Sequence, residues 1–120
     1  MPTNYSIESG KLIIRDEPSG SLLWSGNFDG GLVYKILPLR AREGCLVLLD
    51  PGSSPKPTFE NLLRVNASGE ITWRASLPRS HDAFTDVLFA GTQIEAHTWN
   101  GIRVVVDVDT GQTREIGFSK

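Results

Sequence analysis

An apolar strand, a tight turn closing on Ser-Gly or Thr-Gly, and a second strand recur three times along this chain. The copies run from Leu12-Ile13-Ile14-Arg15 through Ser19-Gly20 to Leu23-Trp24, and from Leu62-Leu63-Arg64-Val65 through Ser68-Gly69 to Thr72-Trp73. The third runs from Val104-Val105-Val106 through Thr110-Gly111 to Arg114-Glu115. The turn glycines lie 49 and 42 residues apart, a period that belongs to solenoids and propeller blades. A unit of this size cannot bury its own apolar face, so its neighbours must cover it. The repeat therefore constrains the scaffold, and it carries no constellation of residues that amounts to an active site.

With 120 residues the chain fits one domain, residues 1–120, able to bury roughly two thirds of its unfolded surface. The single cysteine, Cys45, cannot form an internal disulfide. No basic segment followed by an apolar run opens the sequence, so a reducing, cytoplasmic setting is expected. The longest uninterrupted apolar stretch, Cys45 to Leu49, is far short of the roughly 20 residues a membrane-spanning helix needs. Twelve Lys plus Arg stand against 14 Asp plus Glu, with no basic cluster denser than Arg40-Ala41-Arg42. That balance argues against nucleic acid as a partner. Twelve glycines and seven prolines sit between apolar runs, the distribution of turns and not of disorder.

Alternation, β-branched content and bounding turn residues predict about eleven strands and almost no helix. They are Tyr5–Glu8, Lys11–Asp16, Ser21–Ser25, Leu32–Pro38, Cys45–Asp50, Asn61–Asn66, Glu70–Leu77, Ala83–Ala90, Gln93–Trp99, Ile102–Val108 and Gln112–Phe118. Ile71, Trp73, Ala75 and Leu77 alternate with polar residues, giving one dry and one wet face. Cys45-Leu46-Val47-Leu48-Leu49 does not alternate, which places that strand in the middle of a sheet, covered on both faces. Short connections make consecutive strands antiparallel. Asn100-Gly101 reads as a two-residue type I′ turn; Ser9-Gly10, Gly30-Gly31 and Gly91-Thr92 are weaker marks of the same kind. Pro51-Gly52-Ser53-Ser54-Pro55-Lys56-Pro57-Thr58 is a stiff extended loop excluded from any sheet, and Arg79-Ser80-His81-Asp82 links two repeats.

Strand, turn with Ser/Thr-Gly, then strand with tryptophan four places after the glycine resembles the tryptophan-type repeat of pyrroloquinoline-quinone-dependent dehydrogenases and their non-enzymatic propeller relatives. Gly20 to Trp24 and Gly69 to Trp73 match; at Gly111 the tryptophan is replaced by Glu115. The resemblance covers most of the chain from Lys11 onward. It implies four-stranded antiparallel blades with the tryptophan packed between neighbours. It does not imply the dehydrogenase activity, because none of that family's quinone or calcium ligands can be placed here; no cofactor is expected.

The fold expected is thus all-β and antiparallel, in propeller-blade-like repeats at about 4–26 (partial), 31–78 and 83–119. A β-sandwich or closed barrel is the alternative. Propellers close with about four to eight blades, which three cannot do. An open arc would leave Trp24, Val87 and Phe118 wet, so a homodimer of about six blades is expected.

Each chemically suggestive group has a plainer structural explanation. Ser80-His81-Asp82 contains the residue types of a hydrolase triad, but adjacent residues point apart, whereas a triad is assembled from distant positions. Asp107-Val108-Asp109-Thr110-Gly111 opens like a calcium loop, yet Gln112 and Phe118 occupy the places of its glycine and glutamate. Cys45, His81 and His97 lack zinc-ligand spacing; no metal site is expected. His97 reads as an exposed strand position, and the Asn66-Ala67-Ser68 sequon as a turn. Two surfaces remain for binding. Lys56, Phe59 and Glu60 on the proline-rich loop offer a charge, an aromatic anchor and an acceptor on a stiff frame. Trp99, beside its turn, is either packed between blades, the favoured reading, or an exposed anchor. The function expected is a non-catalytic interaction or assembly module with a protein or peptide partner. The alternative is a small-ligand-binding protein or hydrolase using Arg79, His81 and Asp82 at a subunit interface.

Overall fold

A computed structural model describes residues 3–39 and 43–118; the Arg40-Ala41-Arg42 cluster lies outside them. The described residues form three open antiparallel sheets, each a meander in which consecutive strands pair. Sheet I holds β1 (Thr3–Glu8), β2 (Lys11–Asp16) and β3 (Leu22–Gly26). Sheet II holds β4 (Val33–Pro38), β5 (Cys45–Leu49), β6 (Leu62–Val65) and β7 (Ile71–Arg74). Sheet III holds β8 (Phe84–Ala90), β9 (Gln93–Thr98), β10 (Ile102–Val106) and β11 (Thr113–Phe118). Among the described residues no sheet closes into a barrel. The all-β class and the grouping into one three-stranded and two four-stranded sheets follow the sequence reading.

The sheets stack with the second in the middle, and the period of two in β5 explains how. Cys45, Val47 and Leu49 point into one core with Leu12 and Ile14 of sheet I, while Leu46 and Leu48 point into a second core with Phe84, Val87, Ala96 and Val104 of sheet III. All five β5 residues are fully buried, as a strand covered on both faces must be. Removing one of these leucine side chains costs about 2–5 kcal/mol, the transfer energy plus the cavity left behind.

The two inter-sheet junctions use the same device. A Cβ added to Gly69 would lie 2.3 Å from the Trp24 ring, and one added to Gly111 would lie 2.6 Å from the Trp73 ring. Each indole thus lies flat on the turn glycine of the next sheet, where any side chain would displace it. Both glycines sit at positive φ, +80° and +77°, which also disfavours other residues. Trp73 Nε1 donates to the Val108 carbonyl at 2.8 Å, and Trp24 stacks on Phe28 with centroids 5.2 Å apart. Gly20, the matching glycine of sheet I, has φ +72° and nothing within 4 Å of where its Cβ would be. Glu115, which stands where a third tryptophan would be, pairs instead with Arg79 at 2.8 Å.

Three local expectations change. Of Trp24, Val87 and Phe118, only Phe118 is wet, at 68% exposure; Val87 is fully buried and Trp24 is covered by sheet II. Alternation identifies residues that share a face but not which face a neighbour covers. The two-residue turn with positive φ at both positions occurs at Ser9-Gly10 (51° and 74°), whereas beside Trp99 only Gly101 (90°) is positive. There Gly101 N donates to the Thr98 carbonyl, so the loop is Trp99-Asn100-Gly101, with glycine taking the left-handed place that closes a three-residue hairpin. The proline-rich loop is not extended throughout. Asp50 accepts Gly52 N at 2.9 Å and starts a 3-10 turn over Pro51–Ser53.

Candidate functional site

The proline-rich loop, the Arg79–Asp82 connection and the β9–β10 hairpin are far apart in sequence, and backbone hydrogen bonds bring them together. Phe59 and Ala83 form an isolated parallel bridge, with Phe59 N donating to the Asp82 carbonyl at 3.0 Å and Trp99 N to the Ala83 carbonyl at 2.9 Å. Beneath them Asn61 is fully buried. Its Nδ2 donates to the carbonyls of Leu49 (2.7 Å) and Phe84 (2.8 Å), and its Oδ1 accepts Phe84 N at 2.7 Å. One side chain therefore ties sheet II to sheet III directly under the loops. No sequence signal marked it, since an asparagine at a strand start reads as a turn residue.

Around these ties lies a cleft of about 280 Å³ whose walls include Lys56, Pro57, Phe59, His81, Asp82 and Trp99. Five of the residues singled out in the sequence, Lys56, Phe59, His81, Asp82 and Trp99, thus meet at one place. Trp99 is 71% exposed, so it stands at the cleft rim and not between sheets. Phe59 is buried, its ring forming part of the apolar lining. Glu60 opens on an adjoining hollow of about 150 Å³ shared with Lys56, Asp29 and Arg74, the last two ion-paired at 2.8 Å. Arg79 is not in the cleft; its guanidinium holds Glu115 on β11.

The Ser80-His81-Asp82 run is held by backbone contacts. His81 takes a positive φ of 55°, a conformation costing a non-glycine residue about 1–2 kcal/mol. Its amide donates to Thr58 Oγ1 at 2.7 Å and its carbonyl accepts from Asn100 Nδ2 at 3.3 Å. Asp82 is 3% exposed. Its Oδ1 accepts the amides of Ala83 at 2.9 Å and Asn100 at 3.2 Å; its Oδ2 is buried without a hydrogen-bond partner. The carboxylate thus organises the hairpin tip rather than orienting the His81 ring, which contacts Ser80 Oγ at 3.4 Å. Among the described residues no group of three or more His, Cys, Asp or Glu is arranged to hold a metal ion. Cys45 lies inside the first core, where burial pushes its thiol up to about 12. His97 is half-buried on β9, paired in register with Arg103 and Asp86.

Residues 31–118 match the sequence profile described as Domain of unknown function (DUF7957). The chain belongs to this family. The matched segment holds all of sheets II and III and every wall of the cleft, while sheet I precedes it. No curated protein matches the chain. Among solved structures it is similar to the computationally designed Ika4 protein, with a TM-score of 0.68 and 16% identity over 98% of this chain and 68% of that one. The computationally designed Ika8 protein is similar with a TM-score of 0.63 and 16% identity, and this chain spans 34% of it. At that identity the likeness is one of fold. No helix among the described residues is long and apolar enough to cross a membrane.

Proposed function

We propose that this DUF7957 chain is a non-catalytic interaction module, in which propeller-type blades hold the Trp99 cleft rigid for a protein or peptide partner. The observation that carries the reading is convergence: two loops that each suit binding, read separately along the sequence, form one cleft pinned from below by Asn61 and Asp82. Rigid loops lose little entropy on binding, and an exposed tryptophan beside apolar walls is the residue type that dominates interface energetics. The test is selection of peptides from a random library against the intact chain, followed by binding to Trp99→Ala. Peptides that bind the wild type and lose at least about tenfold in the variant support the reading; selected peptides indifferent to Trp99 contradict it.

Pairing with a second copy belongs to the same proposal. The tryptophan-on-glycine relay supports the blade reading, and it stops at Gly20, whose surface is open. Leu22 and Leu23 beside it are 55% and 50% exposed, and Phe118 on β11 is 68% exposed. Apolar groups of this kind at both ends of a stack suit association with another chain.

A further inference from the structure

We propose that the cleft recognises an arginine side chain of the partner, stacked on Trp99 with its guanidinium directed at Asp82. This deepens the interaction reading and rests on it. Three observations select that occupant. First, Asp82 is a carboxylate in a nearly closed setting whose Oδ1 already holds two amides while Oδ2 has none. A buried carboxylate oxygen lacking a donor is costly, and a charged donor satisfies it best. Second, Trp99 presents an exposed indole at the rim of the same cleft, and a cation over an indole face is attracted by the ring's quadrupole, more strongly as it is desolvated. Third, a volume of about 280 Å³ suits one large side chain and is below the range of drug-sized ligands.

Arginine fits better than lysine because its planar guanidinium lies face to face on the indole while its edge N–H groups donate in a fixed fork, a geometry that a compact ammonium lacks. Lys56, another lining residue of the cleft, adds a requirement. An isolated cation would be repelled there, so an acidic residue adjacent to the arginine completes the complementarity. The recognised element is thus an arginine with a neighbouring aspartate or glutamate.

The experiment is an NMR titration of the full, isotope-labelled chain with N-acetyl-aspartyl-arginine amide. N-acetyl-aspartyl-citrulline amide serves as the neutral isostere. Saturable shifts of the Trp99 indole N–H and of the Asp82, Ala83 and Asn100 amides are expected, with citrulline at least about tenfold weaker, equivalent to about 1.4 kcal/mol. Trp99→Ala and Asp82→Asn are each expected to weaken the arginine probe by about tenfold or more. Trp99 is exposed, so its variant keeps the fold even if the Asp82 variant does not. No saturable shift, equal affinity for citrulline, or undiminished binding by Trp99→Ala overturns the assignment. Library peptides that lack arginine and still need Trp99 would remove the arginine assignment alone. Peptides indifferent to Trp99 would remove the interaction reading with it.

Discussion

Alanine at each of the three turn glycines separates backbone strain from packing within one molecule. Gly20, Gly69 and Gly111 have nearly the same φ, +72°, +80° and +77°, so the left-handed conformation costs each alanine a similar amount, about 1–2 kcal/mol. Only the surroundings differ. At Gly20 the new methyl meets nothing within 4 Å; at Gly69 it would sit 2.3 Å from Trp24 Cδ2 and Cε2, and at Gly111 2.6 Å from Trp73 Cδ2 and Cε3. Ring carbons belong near 3.5–4.0 Å, so each indole must move by about 1 Å or more and loosen its junction. Overpacking of that kind adds about 1–3 kcal/mol. The expected totals are about 1–2 kcal/mol for Gly20→Ala and about 2–5 for Gly69→Ala and Gly111→Ala. The assay is urea unfolding followed by far-ultraviolet circular dichroism with the slope held common. A second arm places Gly111→Ala in a Trp73→Ala background, where its cost should fall to that of Gly20→Ala because the clashing ring is gone. Equal costs at all three glycines, or an undiminished cost without Trp73, would refute the relay as the device joining the sheets.

Asn61→Ala strands two carbonyls and one amide in a dry junction and should lower stability by about 3 kcal/mol, read as a shift of the urea midpoint. His81→Gly relieves the positive φ at an exposed side chain and should raise stability by about 1 kcal/mol in the same assay. Cys45 gives a pH signature. Burial raises its thiol from 9.0 to about 12 in the folded chain, so the folded state holds the proton more tightly than the unfolded one. Its contribution is complete below pH 9 and falls as pH climbs toward 12, by at most about 1.4 kcal/mol per unit. Cys45→Ala, less stable at neutral pH, should lack that part of the alkaline loss. Native Cys45 should react with thiol reagents only as fast as the chain opens.

The scaffold could be read from the sequence because its signals are local. Strand β5 announces burial on both faces by five apolar residues in a row, and the four-residue step from Gly20 to Trp24 and from Gly69 to Trp73 marks the junction parts. What could not be read is non-local. Phe59 and Ala83 pair across two dozen residues, so the two candidate loops appeared separate. Sequence alone favours packing between blades for Trp99, whereas the hairpin tip, tied by the Asn100 amide to the Asp82 carboxylate, leaves its ring 71% exposed. Adjacency groups Arg79 with His81 and Asp82, whereas an ion pair to Glu115 holds it elsewhere.

The claim that this DUF7957 chain is an interaction module working through one cleft is tested most directly by mapping where a library-selected peptide touches it. Amide shifts on the labelled chain are expected to gather on residues 51–60, 81–83 and 99–101, with the β1 and β4 edges near Leu32 and Tyr34 silent. Shifts gathered on those edges, with the cleft unmoved, would contradict the account and place the binding surface elsewhere on the stack.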